Sequence, residues 1–205
     1  MSSILQKLLA TASAAALACT PAFGQVAEIA FIVDESGSMS GEQTFLQTFV
    51  PDLSARLSDL GTTTRFGLVG YGDSAVVPRQ VDVGGGQFGT AEEFAAAAAT
   101  LQVSGGTEDG YAGINFALKN YAFSTDPGVT RLIVLVTDED RDNTDPSLTS
   151  QLIAQELVSR DIFFAGILDQ GVETPDGIAA IGASATQTFL DQDNDGEFET
   201  AGAPV

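Results

Sequence analysis

The 205-residue chain has no histidine, a single cysteine, and only 8 basic residues against 28 acidic ones. Without histidine there is no Ser-His-Asp or Cys-His catalytic arrangement, no HExxH zinc site and no imidazole metal cluster. Any bound metal must be held by oxygen, which selects hard divalent cations such as Mg2+, Mn2+ or Ca2+. A net charge of −20 repels phosphate backbones and anionic lipid surfaces, and so argues against nucleic-acid binding. One cysteine, Cys19, leaves no partner for an intrachain disulfide.

That cysteine lies in an N-terminal stretch organised like a secretory signal. Lys7 supplies the positive end, "LLATASAAALA" (8–18) is a short apolar run, and Ala22-Phe-Gly24 is a small-residue cleavage site. The run is too short to span a bilayer, so membrane insertion is not expected. A lipoprotein reading built on Cys19 is weaker, because "ALAC" puts Leu17 at an unusual place for a lipobox. Cleavage near Gly24-Gln25 would also remove Lys7, taking the charge from −20 to about −21. The exported chain would then be cysteine-free and held by packing, helped by metal.

What is present fits one domain. Hydrophobic residues make up 44% of the chain, enough for a real core. The expected domain is 25–205, with its core at about 27–191 and a short acidic C-terminal tail. Short apolar runs alternate with amphipathic stretches. "EIAFIVD" (28–34), "RFGLVGYG" (65–72), "RLIVLVTD" (131–138) and "DIFFAGIL" (161–168) read as buried strands, and "ATQTFLD" (185–191) as a weaker one. "AVVPRQVDV" (75–83) reads as an edge strand because Pro78 cannot donate to a ladder.

Between them, 41–60 places Phe45, Phe49, Leu53, Leu57 and Leu60 at helical spacing, with a kink expected at Pro51. Thr90-Ala-Glu-Glu93 is a capping box. Tyr111, Ile114, Leu118 and Tyr121 mark a further helical face, and 145–160 reads as a helix capped by Asp145. Continuous apolar strands alternating with helices predict an α/β fold: a doubly wound, mostly parallel sheet with helices on both faces and one edge strand.

In such sheets ligands sit at the carboxyl ends of the strands. Three oxygen-bearing loops fall there. "DESGS" carries Asp34, Ser36 and Ser38 at alternate positions, "SGGTEDG" carries Thr107 after two glycines, and "LVTD" ends on Asp138. Singly, each has a bland explanation as a helix cap or strand-end residue. Together, DxSxS followed by a threonine and then an aspartate resembles the metal-ion-dependent adhesion site of von Willebrand factor type A domains, matched at all five positions.

That resemblance implies a Rossmann-like fold and direct metal ligation by Ser36, Ser38 and Thr107, with Asp34 and Asp138 acting largely through bound water. It also implies Mg2+ (or Mn2+ or Ca2+) as the cofactor. A first shell rich in neutral hydroxyls leaves the ion electron-poor, so a carboxylate of a partner protein can complete its coordination. The expected function is therefore a secreted or periplasmic, non-catalytic adhesion module.

Two features depart from a minimal site. Glu35, Glu108, Asp109, Glu139 and Asp140 crowd the same loops, either tuning the cation or as solvated charge. The chain also runs only a short way past "TFLD", leaving little room for the final helix such domains carry, which puts conformational switching in doubt.

Other signals are weaker. "DQDNDG" sets Asp191, Asp193 and Asp195 like the front of a calcium loop, but its twelfth position is Gly202 instead of glutamate. "GGGQFG" (84–89) follows an edge strand, the wrong context for a dinucleotide site. The "GDS" serine at 74 has no histidine base. A receiver domain would need a lysine near a late strand, and the last is Lys119. Two other functions stay open: a metal-assisted hydrolase with Glu35 or Glu139 as base, and a purely structural secreted domain.

Overall fold

A computed structural model describes residues 25–75, 77–138 and 141–168, together with the backbone of 188–190 and 199–200. Residues 1–24, expected to be a signal segment, and Glu139, Asp140 and the acidic triplet Asp191, Asp193 and Asp195 lie outside the described residues.

Seven strands form one sheet: β1 (Gln25–Asp34), β2 (Thr62–Tyr71), β3 (Arg79–Val81), β4 (Val129–Thr137), β5 (Ile162–Leu168), β6 (Thr188–Leu190) and β7 (Glu199–Thr200), in the order β3-β2-β1-β4-β5-β6-β7. The run from β2 to β6 is parallel, and β3 and β7 add antiparallel edges. The described helices are α1 (Ser40–Asp59), α2 (Ala91–Ala98), α3 (Gly110–Asn120) and α4 (Ser150–Ser159). None of them is long and apolar enough to cross a membrane.

The strands are apolar on both faces because both faces are covered. Along β1, Ala30 and Ile32 point into a core with Tyr111, Ile114 and Leu118 of α3 and Ile153 and Leu157 of α4. Ile29, Phe31 and Val33 point the other way, into a core with Leu46 and Val50 of α1 and Phe94 of α2. There Phe31 lies 5.1 Å from Phe94 and 6.5 Å from Phe66, centroid to centroid. Period-2 alternation thus feeds two separate cores from one strand.

Three local expectations change. The strand around Pro78 shrinks to the three residues of β3, held on β2 by Leu68 opposite Val81. The fourth helix starts at Ser150 with Thr149 as its cap, its hydroxyl accepting from Leu152 N at 3.2 Å. Asp145 instead folds back on Ser147, whose N–H and hydroxyl both donate to its carboxylate, an Asx turn that competes with helix entry. In α1, Pro51 lies inside the helix, and the buried line is Gln43, Leu46 and Val50. Phe45 and Leu60 of the expected apolar stripe are 50% and 80% exposed.

Candidate metal centre

β1 lies between β2 and β4, so the chain order reverses beside it, the place where open α/β sheets take their ligands. Register brings the acidic residues together. Val33 of β1 pairs with Val136 of β4, which sets Asp34 beside Thr137 and one residue from Asp138. The Thr137 hydroxyl donates to Asp34 Oδ2 at 2.9 Å, and Ser36 N donates to Asp34 Oδ1 at 2.8 Å. Asp34 is fully buried, and burial pushes its carboxyl up to about 6, with the nearby Asp138 charge adding to the rise against the lowering effect of the hydrogen bonds.

The first loop turns Ser36 and Ser38 onto one side, their hydroxyls 3.1 Å apart, Ser36 buried and Ser38 exposed. The second loop is tied to the first by Ser104 N to Glu35 O at 2.9 Å and Gly37 N to Gly105 O at 3.4 Å. Two glycines permit that approach. Gly72 has φ +82° and a Cβ there would lie 2.8 Å from Asp34 Oδ1 and 3.6 Å from the Thr107 carbonyl oxygen. Gly105 has φ +100° and a Cβ would sit 2.5 Å from the Gly72 oxygen. Thr107, half-buried, is thereby carried to the same corner as Asp34.

The third loop is stitched to the second by Asp142 N to Glu108 O and Glu108 N to Asp142 Oδ2, both 2.8 Å. At its start, the buried Asp138 Oδ1 has no hydrogen-bond partner among the described residues. A carboxylate oxygen left dry and unpaired is costly unless something else meets it. Two carboxylates, one of them with an orphaned oxygen, and two adjoining hydroxyls are the kind of donors a hard divalent cation takes. Among the described residues no group of three or more acidic, cysteine or histidine residues could hold a metal ion by itself, so hydroxyls would have to share the work.

Of the neighbouring acids, Glu35, Glu108 and Asp109 are buried. Alternation sends Glu35 to the face opposite Asp34, where it is fully buried against Gly70 and forms a two-pronged pair with Arg79, Nε to Oε2 at 3.1 Å, while Gln102 N donates to it at 2.6 Å. Three hydrogen bonds thus hold the Glu35 carboxylate in a structural ion pair. Asp109 caps α3 and collects Arg141, Thr144 and Asp145 N, and Arg141 also stacks 4.2 Å over Tyr111. Burial pushes the Asp109 carboxyl up, yet the Arg141 and Thr144 bonds outweigh it and hold the group below its ordinary value. Gln43, also unforeseen, donates from inside α1 to the carbonyls of Asp34 and Gln102 at 3.2 and 2.7 Å. These partners come from distant loops, and no local pattern announces them.

Fold and site define an α/β domain with oxygen-bearing side chains gathered at the carboxyl edge of its sheet. The chain matches the family model of the von Willebrand factor type A domain over residues 28–201 and belongs to that family. Among solved structures it resembles proximal thread matrix protein 1 from the mussel byssus, with TM-score 0.54 at 18% identity in one crystal form. A second structure of that protein, described as having a zinc-occupied MIDAS motif, gives 0.55 at 17% identity. The alignments cover 71% of this chain but 36% of the mussel protein, so the chain spans about a third of that neighbour. No curated protein matches the sequence significantly.

Proposed function

We propose that this domain is an exported, non-catalytic binding module that engages a protein ligand through a divalent cation at the edge of its sheet. The observation that carries the reading is the unpartnered, buried Asp138 Oδ1 beside the buried Asp34 carboxylate and the Ser36–Ser38 hydroxyl pair. Ser36, Ser38 and Thr107 would supply neutral oxygens, and Asp34 and Asp138 the charge. The ion, when bound, supplies Lewis acidity for one carboxylate of a partner. Exposure of Ser38 leaves that side open to solvent and so to a ligand.

Oxygen donors favour Mg2+, Mn2+ or Ca2+, and the zinc held by the mussel neighbour makes Zn2+ a fourth ion to try. Commitment of Glu35 to Arg79 and Gln102 takes away one of the two bases a hydrolase would have used. The test is a thermal melt of the metal-stripped mature chain with each ion in turn. Saturable stabilisation, lost in Asp34→Ala and in Ser36→Ala/Ser38→Ala, is the expected result; a ligand at a hundred times its Kd adds about 2.7 kcal/mol. No stabilisation by any of the four ions would reduce the serines to turn residues.

A further inference from the structure

Two buried side-chain polar atoms stand without a hydrogen-bond partner among the described residues, Asp138 Oδ1 and the Tyr71 hydroxyl. The first belongs to the candidate metal centre, and the second has no structural bond to account for it. Tyr71 is 1% exposed, so bulk water does not meet its hydroxyl. A buried hydroxyl left unbonded costs free energy that a phenylalanine in its place would not. Tyr121 shows the ordinary arrangement: it too is buried, but its hydroxyl donates to Leu68 O at 2.6 Å.

Register places the Tyr71 phenol at the site. Tyr71 ends β2 opposite Asp34 of β1, and Val33 opposite Val136 sets Asp34 beside Thr137 of β4. Tyr71, Asp34 and Thr137 therefore form one row across three strands. Ile32, Tyr71 and Leu135 share one core, and strand alternation puts the whole row on that face, under α3. Gly113 of α3 makes room there, since a Cβ on it would lie 2.6 Å from Ile32 Cγ2 and 3.1 Å from the Tyr71 ring.

Burial pushes the Tyr71 phenol well above its ordinary value, the Asp34 charge adds to the rise, and the Thr137 hydroxyl beside it acts against both. Adjacent strands are about 4.8 Å apart. A side chain of β2 whose tip reaches the Thr137 side chain on β4 has crossed β1 and lies over Asp34. The hydroxyl stands beside Thr137, yet not in bonding geometry with it.

We propose, resting on the metal-binding reading above, that Tyr71 is a positioning residue of the same centre. Its ring roofs Asp34, and with an ion in place its hydroxyl donates to Thr137, which already donates to Asp34 Oδ2 at 2.9 Å. A phenol on β2 thereby aims a carboxylate on β1 through a hydroxyl on β4, and each bond in such a chain strengthens the next. Ser36 N holds the other carboxylate oxygen at 2.8 Å, so both oxygens of Asp34 are fixed in direction.

The test is calorimetric titration of the metal-stripped mature chain with Mg2+, Mn2+, Ca2+ and Zn2+ in turn, beside urea unfolding in chelator. Wild type, Tyr71→Phe and Tyr121→Phe are compared. Tyr71→Phe keeps the ring and removes one oxygen. It is expected to bind the ion about fivefold more weakly, the worth of one hydrogen bond, with an unfolding midpoint in chelator no lower than that of the wild type. Tyr121→Phe is expected to do the reverse, with a lowered midpoint and unchanged affinity. The chain has no tryptophan and three tyrosines, so tyrosine absorbance gives a third readout: a difference band on adding the ion, absent from Tyr71→Phe. Equal affinity in wild type and Tyr71→Phe would overturn the role of Tyr71 and leave the metal site standing. So would a midpoint in chelator that Tyr71→Phe lowers, or a difference band that it retains. A wild type that binds none of the four ions would overturn the metal-binding reading, and the role of Tyr71 with it.

Discussion

Replacing Asp34 with asparagine should stabilise the metal-free protein while abolishing its response to metal. The carboxyl is fully buried and pushed from 3.8 to about 6. A shift of roughly 2 units costs about 3 kcal/mol in the ionised form. Because the folded value is the higher one, the favourable contribution is complete below about 4 and is lost as pH rises through about 6. Asparagine keeps an oxygen for Ser36 N and carries no charge, so it escapes that loss. The assay is urea unfolding of chelator-treated protein at a series of pH values, for wild type and Asp34→Asn. Taking the difference cancels the remaining carboxylates. Its expected form is a stability advantage for the variant that grows with pH across the interval from about 4 to about 6, by up to about 3 kcal/mol. A difference that stays flat with pH would refute the reasoning, and would mean that Asp34 is not desolvated in the free protein.

Glu35→Ala should destabilise by about 3 kcal/mol or more, since it strands Arg79 and the Gln102 N–H beside a buried cavity; chemical denaturation reads this, and a loss under 1 kcal/mol would mean that the pair is solvated. Thr149→Ala should cost about 1 kcal/mol by removing the cap of α4. Asp145→Ala should cost less than Thr149→Ala because it breaks only a surface turn, and the reverse order would restore Asp145 as the cap.

Much of the fold was readable because burial on both faces writes long apolar runs. β1, β2, β4 and β5 each fall within a few residues of their sequence signals, and the capping box at Thr90 forms as its spacing requires. The misses have separate causes. Around Asp145 the sequence offered proline and a good capping residue, but Ser147 took the aspartate first and moved the helix start to Ser150. In α1 the aromatic stripe had the right period but does not form the buried line, because period alone does not say which of two apolar flanks meets the sheet.

The candidate site divides in the same way. Asp34, Ser36 and Ser38 are local in sequence, and strand alternation already placed them at one edge. Asp138 joins them through the register of β4 on β1, a non-local fact that the order of motifs only implied. The sequence left the surrounding acids open between cation tuning and solvated charge, because charge in a loop looks alike whether it is solvated or buried; Glu35 and Asp109 are buried in ion pairs with Arg79 and Arg141. Glu35 sits one residue from Asp34, and that single step along a strand sends it to the opposite face, against Arg79. The same alternation leaves Asp34 facing Thr137 and the orphaned Asp138 oxygen with no cation of its own. Arginine satisfies one of the two adjacent carboxylates; the other has no cationic partner among the described residues and is the one the proposed ion would meet.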